Sequence, residues 1–61
     1  MKILITGAFG QLGEILYLTL SKYNEVIRTA KTIPKNEQAL VLDISNKIML
    51  KEVIEITKPD I

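Results

Sequence analysis

The sequence predicts an α/β chain that opens a doubly wound parallel sheet in the order β-α-β-β-α and stops before a fourth strand. Three observations carry that expectation. A short apolar run, residues 2–6, leads straight into a glycine turn, residues 7–13, and from there into a helical pattern. Two more short apolar runs, 25–29 and 39–42, are bounded by polar or turn residues, as strands are. A second helical pattern, 46–57, closes the series, and strands that alternate with helices favour parallel pairing.

Each element has its own justification. From Gln11 to Lys22, Leu12, Ile15, Leu16, Leu20 and Tyr23 recur at helical spacing, with Glu14 near the positive end and Lys22 near the negative end. Asn24 stands where a left-handed residue would close that helix. The second strand follows at once, and a polar loop over 32–38, with Pro34 in it, separates it from the third. That link is short for a crossover helix, so a single turn or an extended loop is expected. In the second helix Met49, Val53 and Ile56 share one face, with Leu50 and Ile54 beside them. Pro59 stops it, and Asp60-Ile61 looks like the start of another strand. The expected spatial order is three, two, one, with the first strand central and its other flank belonging to the strand that Ile61 begins. Apolar side chains and a row of backbone groups would then lie at an open edge.

At 61 residues, with no cysteine for a disulfide and no histidine, the chain is at the lower limit of what folds alone. It is therefore expected as a homo-oligomer, a swapped assembly or a part of a longer polypeptide. A hydrophobic content of 48% with 25% charged residues indicates a globular chain rather than a disordered one. The net charge of +1 gives no reason to expect nucleic acid or acidic lipid as a partner. Lys2 precedes apolar Ile3-Leu4-Ile5, but Thr6 and the glycines interrupt the run before it reaches the length of a signal core, and no stretch approaches a membrane span. The chain reads as cytoplasmic. Without cysteine there is no thiolate metal site and no Cys nucleophile.

All three glycines of the chain lie in the turn, as Gly7, Gly10 and Gly13. A helix start offers unpaired N–H groups and a partial positive charge, which suits a pyrophosphate. Gly7 would let the chain reverse at the strand end, Gly10 would leave no Cβ where a phosphate approaches, and Gly13 would let the helix pack close to the sheet. The spacing Gly-x-x-Gly-x-x-Gly is looser than the general dinucleotide fingerprint, so the order strand, turn, helix is what gives it weight. Glu14-Ile15 after Gly13 excludes a Walker loop, which needs Lys-Ser or Lys-Thr there. The competing reading is a strand-to-helix turn whose glycines serve geometry only.

The stretch Met1-Lys2-Ile3-Leu4-Ile5-Thr6-Gly7 running into Gly10-Gln11-Leu12-Gly13, then Leu42-Asp43-Ile44-Ser45-Asn46, then Lys58-Pro59-Asp60-Ile61 resembles the extended short-chain dehydrogenase/reductases. Within them it is similar to the amino-terminal segment of the dTDP-4-dehydrorhamnose reductase family, over essentially the whole chain. Gly-Gln-Leu-Gly and Lys-Pro-Asp are the more telling pieces, since the glycine pattern is common to the superfamily. The resemblance implies a Rossmann-like fold, with 1–61 the amino-terminal piece of an NAD(P)-binding domain. It implies that the backbone of Gly10, Gln11 and Leu12 holds the cofactor pyrophosphate, and that Asp43 and Ile44 flank the adenine, the carboxylate accepting from its amino group. The alternative for Asp43 is a helix cap shared with Ser45.

The end of the second strand bears on cofactor choice, because an acid there takes the ribose hydroxyls and a base accommodates a 2′-phosphate. Here it reads Arg28-Thr29-Ala30-Lys31, and Glu25 is at the wrong end. Lys31, ahead of Arg28, is the candidate phosphate partner, which favours NADP and leaves NAD open; the alternative is a solvated lysine. The family reduces a keto-sugar nucleotide with a Tyr-x-x-x-Lys pair, and neither Tyr17 (followed by Ser21) nor Tyr23 (followed by Ile27) fits. Catalytic and substrate-binding residues are thus expected outside this chain. A sugar-nucleotide epimerase or dehydratase, or a non-catalytic nucleotide-binding regulatory subunit, shares the same opening.

Overall fold

A computed structural model describes residues 1–61. Its elements are β1 (Lys2–Ile5), α1 (Gln11–Leu20), β2 (Glu25–Ala30), β3 (Leu40–Val41) and α2 (Lys47–Thr57). The strands form one parallel sheet in the order β1-β2-β3. Ile3 lies beside Val26 and Ile5 beside Arg28, and further along β2 Thr29 pairs with Leu40 and Ala30 with Val41. The predicted α/β class and strand order are those observed.

On its other flank β1 meets the end of the chain. The Leu4 N–H donates to the Ile61 carbonyl at 2.9 Å, while the N–H of Ile61 donates to the Lys2 carbonyl at 3.3 Å and that of Asp60 to the same oxygen at 2.7 Å. One residue bonding to two that are two apart is the parallel ladder pattern. Lys2 also donates its N–H to the Asp60 carboxylate at 2.7 Å. β1 is therefore central, and the chain leaves it toward β2 in one direction and returns to its opposite side after α2. Connections that diverge in this way from a central strand open a crevice at the carboxyl ends of the strands.

The core is small. Ile3, Ile5 and Ala8 are buried, and Phe9, Tyr17, Leu20 and Val26 pack against them. Parallel neighbours project to the same face, which puts Ile3, Ile5, Val26 and Arg28 under α1. Gly13 is the buried residue of α1, whereas Leu12 and Ile15 are 69% and 61% exposed. The expected apolar face of this helix is thus corrected: it turns Gly13, Tyr17 and Leu20 inward, because the helix sits on the sheet through its glycine. Tyr23 is exposed, since α1 ends at Leu20 and leaves it in the turn that follows. Lys22 likewise lies beyond the helix.

Asn24 does not adopt the left-handed conformation expected of it; its side-chain amide instead donates to the Leu20 carbonyl at 2.9 Å and closes α1 in that way. In α2, Ile56 is exposed rather than facing inward with Met49 and Val53, and Thr57 is buried in its place. Asn46 caps α2 by accepting from the Met49 N–H at 3.1 Å, and left-handed Lys58 (φ 48°) ends it ahead of Pro59. The β2–β3 link holds no helix. It makes one turn, in which Glu37 donates its N–H to the Pro34 carbonyl at 3.2 Å and Asn36 (φ 69°) takes the left-handed position that asparagine tolerates.

Candidate functional site

The sheet is parallel, so the segments that follow β1, β2 and β3 emerge along one edge. These are the glycine turn, Lys31 and Asp43 with Ile44. The turn is tied to β2 by Thr29, whose carbonyl accepts from the Ala8 N–H at 3.0 Å and whose hydroxyl donates to the Ile5 carbonyl at 2.7 Å. Thr29 is fully buried. Sequence reasoning passed over it, although a hydroxyl within an apolar strand, next to a strand end that must be fixed, is a usable signal.

The three glycines separate on inspection. Gly7 has φ +60° and nothing near a notional Cβ, so the backbone conformation alone requires glycine. At Gly13 a Cβ would lie 2.6 Å from the Gly7 carbonyl oxygen and 2.7 Å from Ala8 backbone, so close packing of α1 on the turn requires it. Gly10 has neither constraint. Its φ of −76° and ψ of 173° are open to any residue, and a Cβ would make an ordinary 3.6 Å contact with Gly7. It is moreover the N-cap of α1, where Ser, Asp and Asn are preferred for the oxygen they offer, and it makes no side-chain cap. The fold requires glycine at Gly7 and Gly13, whereas at Gly10 it merely tolerates one as an N-cap.

Around Gly10 the backbone is a row of donors. The Gly10 N–H is spent on the Gly7 carbonyl at 3.2 Å, and the Glu14 N–H on the Gly10 carbonyl at 3.0 Å. Between them, the N–H groups of Gln11, Leu12 and Gly13 find no acceptor in the chain. Three unpaired donors at the positive end of a helix, with no side chain over them, can hold an anion. Of the expected donors Gly10, Gln11 and Leu12, the Gly10 N–H is already spent within the turn, so the open donors are those of Gln11, Leu12 and Gly13.

At the second and third strand ends the structure brings Lys31 and Asp43 together, with Nζ 4.0 Å from Oδ2. Lys31 is exposed, so this contact is worth little and leaves the ammonium open to another anion. Asp43 does not cap α2, which is the task of Asn46. It accepts instead from the Ser45 hydroxyl at 2.6 Å and the Ser45 N–H at 3.0 Å. Those hydrogen bonds, helped by Lys31, hold its carboxyl below the ordinary carboxylate value. Ile44 is exposed beside it, an apolar surface of the sort a base can lie against.

Arg28 is not a free cation. Its guanidinium lies over the Tyr17 ring at 4.1 Å and the Phe9 ring at 5.1 Å, and it donates to the Glu37 carboxylate at 3.2 Å and the Gln38 carbonyl at 3.0 Å. That leaves Lys31 as the basic group at the strand end.

No group of His, Cys, Asp and Glu is placed to hold a metal ion, and no helix is long and apolar enough to cross a membrane. Compared with known proteins, the chain has no matching family model, and no curated protein or solved structure matches it significantly.

Proposed function

We propose that the chain forms the adenosine and pyrophosphate half of a nicotinamide dinucleotide site in a reductase of keto-sugar nucleotides, of the dTDP-4-dehydrorhamnose reductase type. Gly10 carries this reading: a glycine that neither φ nor packing demands, at a cap position that costs the helix an oxygen, beside three unpartnered N–H groups. Room for an incoming phosphate accounts for the bare cap, and the three N–H groups that a helix start leaves open supply the donors. In this reading Gln11, Leu12 and Gly13 donate to the pyrophosphate, Asp43 accepts from the adenine amino group against Ile44, and Lys31 pairs with a 2′-phosphate, so that NADPH is preferred to NADH. The cofactor supplies the hydride; these residues bind and orient it. A reductase of this type would convert dTDP-4-dehydro-L-rhamnose to dTDP-L-rhamnose, with the proton donor supplied by residues outside positions 1–61.

Calorimetric titration with NADPH, NADH and ADP-ribose tests the binding half. Affinity for all three, with NADPH tightest, is expected. Absence of binding to every one of them overturns the site assignment, whereas binding of ADP-ribose without turnover of the keto-sugar nucleotide by the full polypeptide points to an epimerase or a regulatory subunit.

A further inference from the structure

β2 carries an arginine where its alternation calls for an apolar side chain. Arg28 stands beside Ile5 on the face that α1 covers, and its side chain is only 15% exposed. A half-buried guanidinium is tolerated only where its charge is paired and its face is packed. Both conditions are met, and the partners come from separate segments: Phe9 from the glycine turn, Tyr17 from α1, and Glu37 and Gln38 from the β2–β3 link. In a doubly wound sheet a crossover helix would lie over this region. Here a 330 Å³ cavity, lined by Arg28 itself together with Phe9, Tyr17, Leu18, Glu14 and Glu37, lies beside α1. No apolar helix face anchors the link, and β3, to which it leads, pairs with β2 over only Leu40 and Val41.

We propose that Arg28 is a positioning residue for the adenosine end of the site, doing with one side chain what a crossover helix does elsewhere. By pinning Glu37 and Gln38 it holds the link whose near end is Lys31 and whose far end runs through β3 into Asp43. It thereby keeps Lys31 and Asp43 at their 4.0 Å spacing on a common rim. The inference rests on the dinucleotide reading above and adds a claim to it: cofactor discrimination by Lys31 depends on a residue that touches no ligand.

The test uses Arg28→Met, Arg28→Lys and Glu37→Gln, alone and combined with Lys31→Ala. Hydrogen exchange of the Glu37 and Leu42 amides, which are bonded to the Pro34 and Ala30 carbonyls at 3.2 and 2.8 Å, reads the clamp without any ligand. It is expected to quicken by about tenfold in Arg28→Met, because the chain opens locally once its anchor is gone, and Arg28→Lys is expected not to restore it, since an ammonium has neither the fork nor the stacking face. The NADPH-to-NADH preference is expected to fall about fivefold in Arg28→Met and Glu37→Gln but not to fall further when either is added to Lys31→Ala, the non-additivity of residues acting through one another. Glu37, exposed in the link, keeps the test open should Arg28→Met fail to fold. Unchanged exchange overturns the clamp. Quickened exchange with an unchanged preference overturns the positioning role, as does a loss that adds to that of Lys31→Ala, which would mean direct contact between Arg28 and the phosphate. Wild-type protein that binds neither dinucleotide while its variants show the exchange effect removes the dinucleotide reading and leaves the clamp as a property of the link alone.

Discussion

Replacing Gly10 with serine separates what the fold wants from what a ligand wants. The backbone at this position is extended, and a Cβ meets only an ordinary 3.6 Å neighbour, so Gly10→Ser should enter without strain. Its hydroxyl oxygen would reach the open N–H groups of α1 much as the Asn46 oxygen reaches Met49 in α2 at 3.1 Å. Better capping adds a few tenths of a kcal/mol over glycine. A less flexible unfolded chain adds about 0.4–1 kcal/mol. Together these predict a melting temperature higher by about 5–12 °C for a domain of this size. Dinucleotide binding should move the other way, because the side chain consumes a donor and fills the space above it. Losing one charge-assisted bond, at about 1.5–3 kcal/mol, corresponds to about a tenfold to hundredfold weaker Kd. Thermal unfolding and calorimetric titration with NADPH on the same preparation read both effects. A variant that is more stable and binds NADPH as before would refute the argument, since Gly10 would then be an unimproved cap and nothing more.

The contrasting variant Gly13→Ala should destabilise by about 1–3 kcal/mol, because its methyl has no room against the Gly7 carbonyl; denaturant titration checks it. Lys31→Ala should weaken NADPH binding about tenfold and leave NADH nearly unchanged, as expected for one exposed cation on one phosphate, and equal loss of both cofactors would count against it. Asp43, whose carboxyl is held below its ordinary value by Ser45 and Lys31, should contribute stability that is complete above about pH 4 and is lost as the pH falls through the lowered value; Asp43→Asn should flatten that part of a stability-against-pH curve. With Leu12, Ile15 and Leu18 exposed on α1, the 61-residue chain should sediment at micromolar concentration as more than a monomer, and a compact monomer would show that these side chains need no cover.

Much of the architecture was legible because it is written in local signals. The apolar runs, the glycine turn and Pro59 each act within a few residues, and the strand order follows from connection lengths and handedness. Orientation was harder. Leu12 and Ile15 fit a helical stripe as well as Tyr17 does, and only the close seat of Gly13 on the turn decides which side faces the sheet. Asp43 and Asn46 are both good caps by composition, and the hydroxyl of Ser45 draws Asp43 into a turn of its own. The roles of Arg28, beside Ile5, and of Thr29, whose hydroxyl reaches the Ile5 carbonyl, depend on register, a long-range property that spacing along one segment does not reveal.

The close seating of Gly13 on Gly7, with the bonds from Ala8 to Thr29 and from Gly10 to Gly7, also has a kinetic meaning. A loop braced in this way already holds the Gln11, Leu12 and Gly13 N–H groups open with no anion bound. On the dinucleotide reading, association is therefore expected to need no conformational step, to proceed at the rate set by diffusion and orientation, and to lose little ordering entropy. Substitutions at this turn that leave the bracing intact should therefore change how long a nucleotide stays far more than how fast it comes.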